Sequence, residues 1–431
     1  MSPAHGPPPG ERPEPHSQYS QYGTESFDQS ADLGGYSQTM GISHYGKSGP
    51  FPGGPFLRAG RPRGLKRPLR VIHVSQHMVR AGIEVWLKSL IRNIDPEIVQ
   101  FQRCVVTSPL SDPEMIRGMP VPVEVGQEES VRRAARDCDI LLVSGPADVA
   151  RWLGRIHPRI CVVVAHGDTR WSRRIVENCG GLVDHVVAVS KNVERQVCNG
   201  YPTSVIYNGV DTAHLTRTRS REAFRARFGI GPQDFVVGSV MRLAMEKHPE
   251  LLIEAMTRLP RRFKLFLVGW GAWRQKLLDL ANDVAPLRCL IANGVDNLGD
   301  YYNAFDAFCL PSQSEGFGLA TLEALFCGVP VITTKTGFPP ELLANRVHYL
   351  QCARTAKSIA SHVKLLAWHR TWAAGVAAQG RRAAERFGYA SRMCREYESL
   401  FVRLWLERQA RRRAKKKAER PAKDQSQSGE K

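Results

Sequence analysis

No two of the ten cysteines stand close together in the chain, which argues against a zinc ribbon or a small disulfide scaffold and favours a reducing compartment. No run approaches the ~18 apolar residues of a membrane span, and the N-terminus lacks the basic-then-apolar layout of a secretory signal. Together these absences predict a cytoplasmic protein. A Walker loop ending in Gly-Lys-Ser/Thr is missing, as is any His/Asp cluster with metal-ligand spacing. Acidic side chains are outnumbered: 60 Lys+Arg against 41 Asp+Glu leave a formal charge of +19. Acidic partners such as nucleotide phosphates, nucleic acid or anionic lipid are therefore favoured, without a choice among them.

Residues 1–68 have almost no aliphatic side chains and are rich in Pro, Gly, Ser, Gln and Tyr. Such a segment cannot bury enough surface to offset its ordering entropy and reads as a disordered tail. Residues 411–413 and 415–417, all Arg or Lys, open a second, basic tail over 411–431. The body between them alternates short β-branched runs with helical patterns. The runs fall at 69–75, 101–107, 121–125, 140–144, 160–165, 185–189 and 203–207. The rhythm restarts after Asn208-Gly209-Val210-Asp211, with runs at 235–240, 263–268, 307–310 and 329–333. This is the pattern of parallel sheets with crossover helices, and it predicts two doubly wound α/β domains, 69–208 and 209–388. Ligands bind such sheets beyond the carboxyl ends of the strands, so two facing sheets enclose a cleft walled by strand-end loops.

The most informative segment runs from Pro311 to Val331 and contains Glu315-Gly316-Phe317-Gly318-Leu319-x-x-Leu-Glu323-Ala-x-x-x-Gly-x-Pro-Val. A strand ends at Leu310, a turn with two glycines lets backbone N–H groups approach a ligand, and a helix begins near Leu319. Carboxylates suit sugar and ribose hydroxyls because they accept without needing a donor of their own. Taken singly, the two glutamates would fit a capped, solvated helix equally well. A second segment, 239–249, places Arg242 and Lys247 between a strand and a helix, where they can converge on a diphosphate or remain ordinary surface cations. His166 stands at the end of the run 160–165, as either a sugar ligand or a structural histidine. Gly269-Trp270-Gly271 begins a dinucleotide fingerprint, but Arg274 occupies the third glycine position and the test fails.

With seven residues between Glu315 and Glu323, the chain resembles the family 4 retaining glycosyltransferases of the GT-B fold. The likeness continues through Asp184–Ser190, Val205–Asp211 and Leu298–Pro311. It implies two Rossmann-like domains facing across a cleft, an acceptor-side domain followed by a donor-binding one. It further implies a hexosyltransferase-type enzyme that moves a sugar from a nucleotide-diphospho-sugar, UDP- or GDP-linked, to a glycan, lipid or small-molecule acceptor with its anomeric configuration kept. Under the resemblance, Glu323 binds the ribose, while Glu315 and the Gly316-Phe317-Gly318 backbone, with Leu319, hold donor sugar and phosphate. Arg242 and Lys247 neutralise the diphosphate, and His166 steadies the sugar. Gly82, in Arg80-Ala81-Gly82, matches a paired-glycine loop of which Ala81 replaces one member. No cofactor and no metal is implied.

The stretch from Arg395 to Arg413 sets Tyr397, Phe401, Leu404 and Trp405 on one apolar side. We read 389–410 as a helix crossing both domains, with weak attraction to an anionic membrane surface beyond it. Two rivals remain at this stage: a catalytically inactive GT-B scaffold, and a basic nucleic-acid-binding protein, for which no reading surface or stacking module is visible.

Overall fold

The computed structural model describes residues 61–419 apart from Pro146, Asp168, Thr169, Asn199, Val295 and Asp296, and apart from the side chains of Arg170, Trp171, Lys417 and Glu419. Most of the expected tails, 1–60 and 420–431, lies outside the described residues. The first sheet holds β1 (Leu69–Ser75), β2 (Val99–Val106), β3 (Val123–Val125), β4 (Ile140–Val143), β5 (Cys161–Ala165), β6 (His185–Ala188) and β7 (Thr203–Val205). All are parallel, in the order 3-2-1-4-5-6-7. The second holds β8 (Phe235–Val240), β9 (Phe263–Val268), β10 (Cys289–Ala292), β11 (Ala307–Leu310), β12 (Val331–Thr333) and β13 (Leu350–Gln351), again parallel, in the order 10-9-8-11-12-13.

Strands with helices on both faces are apolar throughout rather than alternating. Every residue of β4, β5, β6 and β11 is buried. Each sheet reverses its winding once, between β1 and β4 and between β8 and β11, and these two switch points are where loops splay to leave a crevice. The sequence reading missed β10, a half-buried edge strand, and β13, which is two residues long. Neither has the run of buried β-branched residues that marks a central strand.

After the second sheet the chain returns. Val210 pairs with Tyr389, and the helix Ala390–Glu419 lies back on the first domain. Glu398 Oε1 accepts from the Asp95 N–H at 2.7 Å, and the Tyr397 ring sits 6.0 Å from that of Trp86. The helix does not stop at 410. It runs through the cations to Glu419, because Arg, Ala and Lys are strong helix formers and need no tertiary support there. No helix among the described residues is long and apolar enough to cross a membrane.

The tail boundary at 68 also needs correction, since residues 61–68 pack on the body. Leu65 is 6% exposed, and Arg67 reaches Asp139 with two hydrogen bonds of 2.6 and 2.9 Å. Asp139, at the entry to β4, is 0% exposed and also accepts from Arg159 at 2.7 Å and from the Arg70 N–H at 2.9 Å. Burial alone would raise its carboxyl, but the Arg67 and Arg159 guanidiniums and the Arg70 N–H outweigh burial and hold it at about 2. Because Arg67 and Arg159 stay partly solvated, the loss on Asp139→Ala should be below the full cost of breaking a buried pair, about 2 kcal/mol. Urea unfolding should show this loss at pH 7. The folded value is depressed, so the difference between wild type and variant should persist above pH 4 and vanish as pH falls through about 2.

Candidate active site

The loop after β11 carries the first group of site residues. Glu315 is held on it by two donors to its Oε1: Lys247 Nζ at 2.8 Å and Ser312 Oγ at 2.7 Å. Ser312 is in turn fixed by Thr334, whose hydroxyl donates to the Ser312 carbonyl at 2.6 Å. Lys247 ends a single 3-10 turn, Met245–Lys247, placed just past β8. Strand order sets β8 beside β11, so the loops of both strands meet at the switch point. Arg242, on the same loop as Lys247, has a different partner: it pairs with Glu246, and its side chain is 57% exposed. The two cations thus edge one crevice, one engaged with Glu315 and one open to solvent.

Gly316 lies where the two domains touch. A Cβ at this position would stand 1.7 Å from the carbonyl oxygen of His166, so no other residue permits that approach. Gly318 takes a left-handed conformation, φ 97°, and starts the helix Leu319–Phe326. Leu319 faces the first domain, with its Cδ1 3.8 Å from where a Cβ on Gly82 would lie. Phe317, expected among the donor-binding residues, is 3% exposed and stacks on Phe338 with centroids 4.8 Å apart. Its side chain is therefore core, and its carbonyl is taken by the Phe338 N–H.

Glu323 is also more enclosed than a solvated helix residue would be, at 4% exposed. Tyr302 donates to its Oε2 at 2.7 Å, and His214 Nε2 meets its Oε1 at 3.0 Å. Burial pulls the His214 imidazole down, but the hydrogen bond and charge of Glu323 prevail and raise it above its ordinary value. The pair fixes one rotamer of Glu323 at the edge of the second sheet's crevice.

From the first domain come His166, at the carboxyl end of β5, and Gly82, the first residue of the helix Gly82–Asn93 after β1. The His166 ring packs edge-on to Trp86 at 4.5 Å. Burial, with His73 adding a little, holds His166 down to about 3, so it is a neutral imidazole at any working pH. Its Nε2 is shielded and has no hydrogen-bond partner among the described residues.

Three features of the site escaped the sequence reading. Glu84 is buried beside Gly82. Its Oε1 accepts from the Val79 N–H at 3.1 Å, and burial raises its carboxyl to about 7. Glu84 is the third helical residue after Ala81, the spacing of half a capping box, which was the signal available. Arg80, on the same loop, reaches across to the second domain with its guanidinium 5.2 Å from the Trp270 ring centre. His214 is the third, and its link to Glu323 spans 109 positions that no local pattern connects. Among the described residues no three His, Cys, Asp or Glu side chains gather as a metal site.

Two family models match consecutive parts of the chain: "Glycosyltransferase Family 4" over residues 53–214 and "Glycosyl transferases group 1" over residues 220–369. Among related proteins, a D-inositol 3-phosphate glycosyltransferase of Rhodococcus opacus is 31% identical over 260 residues, covering 57% of this chain and 54% of that one. The lipopolysaccharide core biosynthesis mannosyltransferase LpsB of Rhizobium meliloti is 29% identical over 236 residues, 51% of this chain and 63% of that one. The chain thus spans about half the length of the relatives it matches. Among solved structures, Anabaena HepE in complex with UDP and glucose superposes with a TM-score of 0.67 at 20% identity, over 78% of this chain and 99% of that one. Sucrose-phosphate synthase from Thermosynechococcus elongatus gives 0.63 at 16% identity, over 79% and 100%. At these identities the structures speak for the fold, two parallel sheets set face to face, and the family models speak for descent. The chain belongs to the family 4 glycosyltransferases and has their GT-B fold.

Proposed function

We propose that the protein is a retaining glycosyltransferase that takes a hexose from a UDP- or GDP-linked donor. The observation that carries this reading is the Lys247–Glu315 pair at the second sheet's switch point, with Gly316 pressed on the His166 carbonyl of the first domain. A cation and a carboxylate on adjoining strand-end loops suit the two halves of a sugar diphosphate. On donor arrival Lys247 turns from Glu315 towards a phosphate oxygen, and the exposed Arg242 adds a planar double donor. Glu315, so released, accepts from a sugar hydroxyl. Glu323, held by Tyr302 and His214, accepts from the ribose. The Anabaena structure is described with UDP, and a mycobacterial relative is named as GDP-mannose-dependent, which supports these two carriers.

In the transfer step the bond between the anomeric carbon and the diphosphate oxygen breaks, and its electron pair leaves on the phosphate. An acceptor hydroxyl attacks the same face and gives its proton to that phosphate oxygen. Charge growing on the leaving group is what Lys247 and Arg242 stabilise. Neutral His166 acts as a hydrogen-bond partner rather than as a cation, and donor arrival has to uncover its shielded Nε2 before a sugar hydroxyl can meet it. The acceptor is a glycan, a lipid head group or a small polyol, in keeping with the names of the relatives.

We also propose that the helix Ala390–Glu419 attracts an anionic membrane through its basic end, as a peripheral contact. Arg411, Arg412, Arg413, Lys415 and Lys416 are exposed on it. A cavity of about 640 Å3 lies between this part of the helix and the amino ends of β6 and β7, and Arg403, Arg408, Arg411, Arg412 and Lys415 help to line it.

Four outcomes test these statements. Arg242→Ala and Lys247→Ala should each lower kcat by about a hundredfold with a smaller change in donor KM, since a preorganised charge of this type is worth ~3 kcal/mol in the transition state. EDTA should leave the wild-type rate unchanged; abolition by chelator with recovery on adding magnesium or manganese rejects a metal-free site. For His166→Ala, calorimetry with UDP and GDP should show nucleotide affinity largely kept while transfer is lost, and loss of both would misplace His166. Replacing Arg411, Arg412, Arg413, Lys415 and Lys416 by Gln should weaken flotation with vesicles containing about a quarter phosphatidylserine, more so at low salt, and leave soluble turnover intact.

A further inference from the structure

Three hydrogen bonds from the first domain end on one side chain of the second. Glu341 belongs to the short helix Pro339–Leu342 that follows β12. Its Oε2 accepts from the Lys191 N–H at 3.0 Å and from the Tyr207 hydroxyl at 3.0 Å, and its Oε1 accepts from the Asn192 N–H at 2.8 Å. Lys191 and Asn192 open the helix after β6, whose first N–H groups have no partner within the helix. Ser190 satisfies one of these groups, that of Val193, and the carboxylate from the other domain takes two more.

The same carboxylate is wired to the donor loop. Phe338, the residue that caps its helix, donates its N–H to the Phe317 carbonyl at 2.9 Å and stacks on the Phe317 ring. Tyr207 lies 6.3 Å from that ring on its other contact. Glu341, Tyr207, Phe317 and Phe338 therefore form a closed circuit across the domain boundary. Gly316, the residue before Phe317, makes the contact with the His166 carbonyl.

We propose that Glu341 is a positioning residue for transfer: it sets the first domain against the Glu315–Gly318 turn, and so the distance between His166 and the donor loop. The link to transfer rests on the glycosyltransferase reading; the strut itself does not. A carboxylate suits the task because all three opposing groups are donors, and two oxygens can satisfy them together. An amide presents one acceptor and one NH2, so Glu341→Gln sets a donor against a donor with almost no change in shape.

The test uses the full chain as wild type, Glu341→Gln, Glu341→Ala, Tyr207→Phe and the Glu341→Ala/Tyr207→Phe double variant. Solution scattering should give a larger radius of gyration for both Glu341 variants, while UDP or GDP affinity by calorimetry stays within about threefold of wild type. With a sugar donor, kcat should fall by more than about tenfold, as misplaced groups do, with KM little altered. The double variant should lose less than the product of the two single effects, because both act through one contact. Glu341→Gln is the control for folding, since its melting temperature should stay near that of wild type. Unchanged scattering in both Glu341 variants overturns the strut. A fall in nucleotide affinity that matches the fall in kcat overturns the positioning role and makes Glu341 a binding residue. If the wild type binds neither nucleotide, the glycosyltransferase reading fails, and scattering still decides the strut.

Discussion

The approach of Gly316 to the carbonyl of His166 governs how the two halves of the molecule can act together. The central strands of each sheet, such as β5 and β11, are buried on both faces. What joins the two sheets is a backbone-to-backbone contact that a single Cβ would block, flanked by Leu319 against Gly82 and by Arg80 over Trp270. The crossing helix closes the same joint from behind, with Arg392 donating to the Tyr207 carbonyl in the interdomain link. The cleft is therefore walled by strand-end loops whose spacing these contacts help to set.

Its electrostatics follow from the same construction. Loops at the ends of buried strands carry carboxylates into places with little water, and each carboxylate has to be matched there. Glu315 has Lys247 and Ser312, Glu323 has His214 and Tyr302, and Glu84 has the Val79 N–H. The matches differ in kind. A lysine on a flexible stem can leave Glu315 for a phosphate, whereas Tyr302, fully buried behind Glu323, cannot leave without opening the fold. Under the proposed function, Glu315 is thus suited to exchange partners during a reaction and Glu323 to stand still while a ribose is placed.

The fold was legible because parallel strands covered on both sides spell out long β-branched runs, and because the winding restarts after Asn208-Gly209. The Glu315 to Glu323 segment was legible because glycines, carboxylates and helix start fall within one short stretch. What escaped depends on distance along the chain. Lys191 and Glu341 are 150 positions apart, and no spacing rule links them. The packing of the Phe317 ring on Phe338 also escaped, because it joins two loops that no local pattern links, and it leaves only the Phe317 backbone to face the cleft. The basic end of the last helix has the charge of a tail, yet the helix propensity of its Arg, Ala and Lys carries it on to Glu419.

That helix places its cations at a particular end of the first sheet. Its basic stretch lies by the amino ends of β6 and β7, where Asp184, His185 and Thr203 line the shared cavity. The loops that carry His166 and Gly82 leave the carboxyl ends of β5 and β1, strands parallel to β6 within the same sheet. β6 is four residues long, so the two ends stand about 13 Å apart at the usual rise per residue. A surface held by the helix cations would thus not lie against the cleft. If the proposed membrane contact holds, an acceptor drawn from that surface has to carry its reactive hydroxyl over this distance on its own head group. Under the proposed function, a lipid head group already extended by sugars spans such a distance more readily than a bare glycerolipid, and a soluble polyol needs no surface.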